Sequence, residues 1–582
     1  MSERMDFDLV LEGAQVYDGG GGKPFVADVG IAGERITAVG DLQAARADRR
    51  LSLKGRALSP GFIDVHSHID LVAHRADAAA LLEPMVRQGI TTAVGGNCGV
   101  SLAPIAEKHV EQLKVFMSFF TGDALQGRSL FSSMASFLRT IESQKLLLNL
   151  GMLAPHNLLR VRALDNQHVR ADSADLGHMG KELEACLDAG CLGMSTGLMY
   201  YPSVQAEQGE LQSLGRILRQ KRKILAAHLR SYCSDTVAQS CEEVLQVARD
   251  NDIHVQLSHL FWVPNFGRFW NRMLSGVVRG LSRLYRRMPF PLPKRSPLES
   301  TLAKFVSLNR QGISVGGDSV PSSAGFSILL AFLPPWTWEG SLAEIKTRLA
   351  DPQVRRVIRR AIEDTRPIWP HRRGDAWSMN YLNMLGYEGV RIMSVVSARN
   401  KPLEGQTIAA LAAQQGKHPI DAICDLLMEE DCRVIALISP TQPGDFFIEE
   451  SNRGILCHPE VSIGSDMLLS GQGMPSHLYR DCFPRFLGLY SRAKKWLPLS
   501  EAIRKCTSLP ARQLGLKLRG LIKPGFFADL VAFDPATIGS SSPTPNSLPR
   551  PTGIEIVLIN GQILLDDLGF HRDRRPGRLL VA

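Results

Sequence analysis

The 582-residue sequence lacks any long hydrophobic run. The apolar stretch Ile328–Leu333, for example, ends at a proline, well short of the roughly 18 to 20 apolar residues that a membrane-spanning helix needs. The N-terminus also lacks a basic segment followed by an apolar core, which predicts no secretory signal. These absences argue against an integral membrane protein and lead us to expect a cytoplasmic one.

Cysteine pairs of the CxxC type are also missing. Ten cysteines are spread from Cys98 to Cys506 without a compact framework, which in so long a chain indicates reduced thiols. We expect most of them to be small core residues. Only Cys98 has neighbours that argue for a role in chemistry.

Most of the chain has no excess of positive charge. The net charge is +9, from 67 Lys and Arg against 58 Asp and Glu. Eight of the basic residues, and no acidic one, lie between Pro264 and Arg295. Since the rest of the chain is nearly balanced, general binding to nucleic acid is not expected.

The basic segment has the pattern of an amphipathic helix. Within residues 266–288, apolar residues recur at spacings of three and four, opposite a row of arginines. Such a helix either docks on its own domain or makes a peripheral contact with an anionic membrane or a partner, and the sequence leaves both readings open. Prolines from Pro289 onward end the helix, so we interpret residues 264–297 as an insertion.

Short strands broken by glycine turns occur near both chain ends. Between them, short apolar strands alternate with amphipathic helices, for example Ile224–Ala227, Thr236–Asp250 and Val255–Leu257. Alternating strands and helices predict a parallel sheet. We therefore predict an α/β fold, a (β/α)8 TIM-like barrel with a small β-sandwich domain built from both chain termini.

The domain boundaries follow from these changes of pattern. We place the N-terminal part of the sandwich at residues 1–59, the barrel at 60–515 and the C-terminal part of the sandwich at 516–582. Residues from about 318 to 445 are too many for one strand-helix step, so we expect them to include an accessory subdomain over the barrel mouth.

The segment PGFIDVHSHID carries the strongest chemical signal. His66 and His68 are two residues apart after a buried strand, so both imidazoles point to the same side. Two imidazoles at the carboxyl end of a barrel strand predict a metal site.

Four other residues follow apolar strands in the same way. Cys98 follows a strand that runs into glycines, and its thiolate would be a strong zinc ligand. His228, His259 and Asp466 each lie just past a further strand. Taken singly, Cys98 and the two histidines would also suit the core, and Asp466 would suit a helix N-cap.

Together, these side chains would meet where barrel catalysis is expected. A divalent metal there would lower the pKa of a bound water to about 7 and polarise a carbonyl. Asp466 would then take the proton of the water and pass it to a leaving nitrogen. The set predicts hydrolysis of an amide-like bond.

The sequence resembles the amidohydrolase superfamily and, within it, the D-aminoacylase (N-acyl-D-amino-acid deacylase) family. The motifs that carry the resemblance include SPGFIDVHSHID, GGNCGVS, GCLGMSTGLMYYPS, LPPWTWEG and HPEVSIGSDM. The resemblance implies a zinc-dependent enzyme that hydrolyses N-acyl-D-amino acids to a carboxylate and a free amino acid.

The resemblance also implies roles for the site residues. Cys98, His228 and His259 would hold the tighter zinc, and Asp466 would be the general acid and base. His66 and His68 would hold a second, weaker metal or would face the water and the substrate.

Four further residues resemble parts of the family's substrate site. Tyr200 and Tyr201 match a substrate-facing turn, His156 matches a histidine near the pocket, and Arg480 matches a pocket arginine only with a shift. Asp318 begins a stretch that lacks the family's usual Tyr-Pro-Tyr. These departures keep open a related amidase, dipeptidase or cyclic-amide hydrolase with a more lipophilic substrate. The sequence does not indicate an oligomeric state.

Overall fold

The computed structural model describes residues 6–110, 113, 131–164, 170–263, 265, 284, 296–322, 324–364, 379–438, 446–468, 477–541 and 549–581. Nearly all of the predicted amphipathic helix at 266–288, and of the insertion at 264–297 around it, lies outside these residues. Its proposed membrane contact therefore stays a prediction. Among the helices in the described ranges, none has the length and apolarity to cross a bilayer.

The described strands form two nine-stranded sheets and two smaller ones. In chain order they are β1 (Asp6–Val16), β2 (Phe25–Ala32), β3 (Arg35–Gly40), β4 (Arg46–Ser52), β5 (Ala57–Pro60), β6 (Phe62–Asp64), β7 (Ile90–Gly95), β8 (Asn149–Pro155), β9 (Gly193–Gly197), β10 (Ile224–His228), β11 (Val255–Leu257), β12 (Val315–Ser319), β13 (Gly325–Ile328), β14 (Val390–Ser394), β15 (Ile435–Ile438), β16 (Val461–Ile463), β17 (Leu530–Phe533), β18 (Gly539–Ser541), β19 (Arg550–Thr552), β20 (Ile554–Ile559), β21 (Gln562–Asp566), β22 (Gly569–Phe570) and β23 (Leu579–Leu580).

The terminal sheet combines strands from both ends of the chain. Its order is β22-β21-β20-β17-β5-β1-β2-β3, with β4 paired to β1. At the start of β1, buried Phe7 and Leu9 alternate with exposed Asp6 and Asp8, as expected for a strand with one face on a core. The central pairing of β5 with β17 joins the two termini, which confirms the predicted terminal β domain.

The barrel consists of eight parallel strands in the order β16-β12-β11-β10-β9-β8-β7-β6. A bridge between Ser67 and Met467 joins the chain just past β6 to the chain just past β16 and brings the ends of the sheet together. The Asp466 amide also donates to the His66 carbonyl oxygen over 2.8 Å. The predicted (β/α)8 barrel is thereby confirmed.

Helices separate the barrel strands and cover them on the outside. The described α-helices span Asp70–Ala73, Ala78–Val86, Met134–Ser143, His156–Ala163, Ser173–Asp188, Gln208–Lys221, Val237–Asn251, Glu299–Arg310, Leu342–Ala350, Pro352–Asp364, Tyr381–Leu385, Ile408–Gln415, Pro419–Glu429, Phe446–Leu456, Cys482–Arg485, Leu499–Cys506 and Ser508–Gln513, and a π-helix spans Phe486–Ala493.

The helix Ser173–Asp188 illustrates how the sequence forms this outer layer. Asp172 and Asp175 satisfy each other's backbone N–H groups in a capping box at its start. Met179, Leu183 and Leu187 then recur every four residues and are buried. That spacing places them on one face of the helix, packed toward the barrel.

Two parts of the chain differ from a simple barrel with a terminal domain. The strands β13, β15 and β14 form an antiparallel sheet within the predicted accessory region 318–445. The last strand, β23, pairs with β8 of the barrel and not with the terminal sheet. The domain boundaries themselves stay predictions.

Candidate metal centre

Six side chains meet at the carboxyl end of the barrel. His66 and His68 follow β6, Cys98 follows β7, His228 ends β10, His259 follows β11, and Asp466 follows β16. Because parallel strands end at the same rim, residues far apart in sequence become neighbours there. The structure thus brings together all six residues that the sequence analysis selected.

Cys98 lies at the centre of the cluster. Its Sγ is 3.3 Å from His66 Nε2, 3.5 Å from His259 Nε2 and 3.4 Å from His228 Nδ1. The thiol and the three imidazoles are almost completely buried. One sulfur therefore contacts ring nitrogens from three separate strand ends.

Asp466 completes the other side of the cluster. Its Oδ1 is 3.5 Å from both His66 Nε2 and His68 Nε2, and its side chain remains 19% exposed. This carboxylate therefore contacts the paired histidines and still reaches the cavity.

Glycines allow the backbone around Cys98 to pack closely against the neighbouring strands β8 and β9. Gly96 has a φ of 75°, and a Cβ atom there would lie 2.2 Å from the Leu153 carbonyl oxygen. A Cβ atom on Gly197 would lie 2.2 Å from the Cys98 carbonyl oxygen. Only glycine fits at such approaches, so the glycines beside the thiol are a steric requirement of the site.

Three of the six residues have a left-handed backbone. Cys98, His259 and Asp466 have φ values of 54°, 32° and 48°. Such conformations cost free energy in residues other than glycine and are typical of functional sites. The surrounding strands therefore hold these three residues in a conformation that is unfavourable for their backbone.

The electrostatics of the cluster favour opposite charges on Cys98 and His66, whereas burial lowers the pKa of His228. Burial raises the pKa of the Cys98 thiol, but the charges of His66 and His228 outweigh it and hold that pKa well below its usual value. Burial lowers the pKa of His68, but hydrogen bonds to Asp466 and Cys98 raise it to about 9. The cysteine is therefore a thiolate, the form that binds metal.

Asp318 belongs to the site, although the sequence analysis gave it no role. Its Oδ1 is 3.4 Å from His66 Nδ1 and accepts the His259 backbone N–H over 2.7 Å. Its Oδ2 accepts a hydrogen bond from Gln256 over 3.2 Å. The position of Asp318 in β12 could have indicated this role from sequence, because the neighbouring strands β11 and β16 both lead to site residues.

A cavity opens above the cluster. His68, Cys98, His228, His259 and Asp466 line its floor. The walls are mostly apolar and aromatic, with side chains such as Phe261 and Tyr381. The cluster thus lies at the floor of a cavity with mostly apolar walls.

The two predicted substrate tyrosines have different surroundings. Tyr200 lines the cavity, with its ring 4.7 Å from the His228 ring and its hydroxyl 3.4 Å from Ser327 Oγ. Tyr201 is buried and is not among the described residues that line the cavity.

The structure does not bring His156 and Arg480 to the described cavity wall. His156 is fully buried, with Nε2 2.8 Å from Glu210 Oε1 and Nδ1 2.8 Å from Ser203 Oγ. Both ring nitrogens therefore have protein partners. The guanidinium of Arg480 lies over the Tyr479 ring, 5.9 Å from its centroid.

The cluster has the donor atoms of a metal site. The ligand atoms of His66, His68, Cys98 and Asp466 lie within 4.8 Å of one another, as do those of Cys98, His228 and His259. Zinc prefers this mixture of thiolate, imidazole and carboxylate ligands. The residues present therefore fit one zinc ion, or two ions that share Cys98.

Comparisons with known proteins indicate the family of the chain. A model of the Amidohydrolase family matches residues 317–565. The N-acyl-D-glutamate deacylase of Alcaligenes xylosoxydans xylosoxydans is 31% identical, with 100% of this chain and 97% of that protein covered.

Two solved structures share the fold over nearly the whole chain. One is a D-aminoacylase studied for its binuclear metal centre, with a TM-score of 0.74, 27% identity and coverage of 99% of this chain and 100% of that one. The other is the Bordetella bronchiseptica N-acyl-D-glutamate deacylase with zinc and a phosphonate inhibitor, with a TM-score of 0.74, 26% identity and the same coverage. The chain belongs to the D-aminoacylase (N-acyl-D-amino-acid deacylase) family of the amidohydrolase superfamily.

Proposed function

We propose that this protein is a zinc-dependent amidohydrolase that cleaves N-acyl-D-amino acids to a carboxylate and a free amino acid. The observation that carries the proposal is the buried Cys98 thiolate surrounded by histidines, with the Asp466 carboxylate beside them at the floor of a cavity. The names of the similar proteins, which are deacylases of D-amino acids, support the same reaction.

In this proposal, Cys98, His228 and His259 would hold the tighter zinc, and His66 and His68 would provide the second position. The bound zinc supplies Lewis acidity toward the amide carbonyl and the attacking water. The surrounding strand ends hold the ligands in place, and the aromatic walls limit the access of bulk water.

Asp466 moves the proton. Burial raises the pKa of Asp466, but the hydrogen bond to His68 and the charges of His259 and His66 outweigh burial. The pKa is therefore below its usual value, and the carboxylate is ionised. Its Oδ1 takes a proton from water as the oxygen adds to the amide carbon. It then gives that proton to the nitrogen as the carbon–nitrogen bond breaks. One water is consumed, and an acid and an amine are released.

We also propose a cytoplasmic location. All ten cysteines are free thiols, and nine of them are buried. A reducing compartment maintains thiols in this state.

The function is tested with matched N-acyl-D and N-acyl-L amino acids on zinc-loaded protein and on chelated protein restored with zinc. We expect hydrolysis of the D series that is lost on chelation and recovered with zinc. Absence of hydrolysis of either series by protein that contains zinc would refute the proposal.

The role of Asp466 is tested separately with Asp466→Asn. We expect kcat to fall about 100-fold or more, the usual scale for general acid and base catalysis, while the zinc content stays the same. Full activity of a zinc-loaded variant would mean that another group moves the proton.

A further inference from the structure

The interior of the barrel has an apolar half and a polar half. Beside β6 to β10, side chains such as Ile63 and Val94 pack in an apolar cluster, which is the usual filling of such a barrel. The neighbouring strands β11, β12 and β16 instead contribute Gln256, Asp318 and Ser462, all of them buried. Buried polar groups are costly without hydrogen-bond partners, so this half of the interior needs an ordered pattern of donors and acceptors.

A hydrogen-bond relay runs through the polar half, from the metal centre to the opposite end of the barrel. Asp318 Oδ1 lies 3.4 Å from His66 Nδ1, and Asp318 Oδ2 accepts a hydrogen bond from Gln256 Nε2 over 3.2 Å. Gln256 Oε1 lies 3.4 Å from His254 Nε2, and His254 Nδ1 lies 2.7 Å from the hydroxyl of Ser314. His254 and Ser314 directly precede β11 and β12, and Ser314 is exposed. The relay therefore links the buried metal centre with the face at which the strands begin.

The amide of Gln256 is also held from the side. Its Nε2 donates to Ser462 Oγ over 3.3 Å, and the Ser462 hydroxyl donates to the Gly317 carbonyl oxygen over 3.2 Å. Gly316 leaves room for the amide, because a Cβ atom there would lie 3.2 Å from Gln256 Oε1 and would collide with Gln513 Nε2. The neighbouring strands thus fix the position of the amide in the middle of the relay.

The relay has one direction of donation. Both oxygens of Asp318 act as acceptors, so Gln256 turns its NH2 group toward Asp318 and its oxygen toward His254. Burial lowers the pKa of His254 to about 4, so near pH 7 its neutral imidazole has one donor and one acceptor. Nε2–H of His254 then donates to Gln256, and Nδ1 accepts from Ser314. Since a glutamine amide does not titrate, the relay transmits orientation and not protons.

We propose that Gln256 and His254 are positioning residues of the metal centre, which act through Asp318 on the orientation of the His66 imidazole. A ligand histidine is only as well oriented as the carboxylate on its outer nitrogen, and here that carboxylate is itself held by the relay. This inference rests on the proposed function, in which the cluster binds zinc. It gives the polar half of the barrel interior a role in the site.

Gln256→Met tests the relay at its centre. The new side chain has a similar length but no hydrogen-bond donor, so Asp318 Oδ2 loses its partner. We expect zinc affinity, measured by competition with a chelator of known affinity, to fall about tenfold, the lower end of the range for disturbing the partner of a ligand histidine. In zinc-saturated protein, kcat should fall by a similar factor while KM stays unchanged, because the relay ends at the metal centre and not at the substrate.

His254→Phe tests the far end of the relay and replaces Gln256→Met if that variant does not fold. We expect a smaller loss of zinc affinity, about threefold, because Gln256 keeps its bond to Asp318. His254→Gln, whose amide can again donate to Gln256, should restore the affinity. The double variant should bind zinc no more weakly than Gln256→Met alone, because both changes break the same relay. Ile224→Val, in the apolar half of the same interior, is the matched control and should lower the melting temperature but leave zinc affinity unchanged.

The outcomes separate this inference from the proposed function. Normal zinc affinity in folded Gln256→Met would refute the inference, and so would additive losses in the double variant. An equal loss in Ile224→Val would mean that the barrel interior acts only through stability, which also overturns the inference. Failure of His254→Gln to restore the affinity would refute the role of His254. If zinc-loaded wild type cleaves no N-acyl-D-amino acid, the proposed function alone fails, because zinc affinity still tests the relay.

Discussion

At the scale of single residues, Asp318 connects two parts of the metal centre through one carboxylate. It contacts His66 Nδ1 and the His259 backbone N–H, so it orients one imidazole and fixes the loop of another. The ring nitrogen of His66 that faces Cys98 is the opposite one, Nε2. A carboxylate on the outer nitrogen of a ligand histidine fixes its tautomer and makes it a better ligand.

We therefore predict that Asp318→Asn weakens zinc binding about 10- to 100-fold, the usual effect of losing such a partner. Zinc affinity is measured by competition with a chelator of known affinity. Ser322→Ala, a change on the same side of the cavity that spares the ligands, is the control and should bind zinc normally. Unchanged affinity in Asp318→Asn would mean that Asp318 serves only to hold the loop after β11.

Lys505 is a second residue whose surroundings lead to a prediction. It is fully buried, its Nζ donates to the backbone oxygens of His458 and Val461, and burial lowers its pKa to about 8. Between pH 8 and the usual lysine value near 10.5, the unfolded chain binds a proton that the folded chain does not. This lysine therefore makes the free energy of unfolding rise with pH in that window.

Buried cysteines and tyrosines oppose this rise in the free energy of unfolding. Their pKa values are raised in the folded state, so they lower the free energy of unfolding as the pH becomes alkaline. The quantity to measure is thus the difference in unfolding free energy between wild type and Lys505→Met. We expect wild type to gain about 2 kcal/mol on the variant from pH 8 to pH 10. Lys523→Met, at an exposed site, should show no such change relative to wild type. A constant difference for Lys505→Met would contradict the lowered pKa.

At the scale of elements, the turn after β9 is braced from behind the cavity. Glu210 accepts a hydrogen bond from Arg160, and its Oε1 lies 2.8 Å from His156 Nε2. The other ring nitrogen of His156, Nδ1, lies 2.8 Å from Ser203 Oγ in the turn. Arg230 donates to the backbone oxygens of Val204 and Ala206 over 2.6 and 2.8 Å. These buried contacts hold the segment that places Tyr200 in the cavity wall.

We predict that Glu210→Gln lowers the free energy of unfolding by about 3 kcal/mol, because it removes the buried negative charge that Arg160 and His156 contact. It should also raise KM, since Tyr200 is held less firmly. Denaturant unfolding and steady-state kinetics measure the two effects. Glu182→Gln, which breaks the more exposed pair with Arg162, should cost less than about 1 kcal/mol. A similar small loss for Glu210→Gln would show that the brace contributes little.

Elements with a strong local pattern were predictable from sequence. The expected strands Ile224–Ala227 and Val255–Leu257 and the expected helix Thr236–Asp250 agree with the structure to within one residue at each end. The pairing of β23 with β8 was not predictable, because two residues carry no pattern and their partner lies far away in sequence.

The candidate site likewise contains residues that the sequence predicts and residues that it does not. The six residues at strand ends share a local signature, an apolar strand followed by a polar side chain. The roles of Asp318 and Glu210 were not predictable, because their partners become neighbours only in the folded chain. Glu210, for example, contacts His156, which lies 54 residues away in sequence.

At the scale of the whole molecule, the metal centre connects distant parts of the chain. Its side chains span residues 66 to 466, and those that follow β6 and β16 lie where the barrel closes. At the opposite end, Arg519 pairs with Asp529, and Asn149 of β8 approaches Asp529 to 3.3 Å. The terminal sheet is therefore tied to the barrel, and the closed barrel depends on contacts at both of its ends.

We predict that removal of zinc lowers the melting temperature of the whole barrel, because an ion bound to the folded state stabilises it by mass action. At free zinc 100-fold above Kd, the gain is about 2.7 kcal/mol. Calorimetry with and without chelator measures the shift, and restored zinc should reverse it. Cys98→Ala serves as the control, since it removes the ligand shared by both groups of donors and should make the melting temperature insensitive to the chelator. If wild type stripped of zinc melted at the temperature of the loaded protein, zinc would not bind the folded state in preference to the unfolded chain, and the proposed metal centre would be wrong.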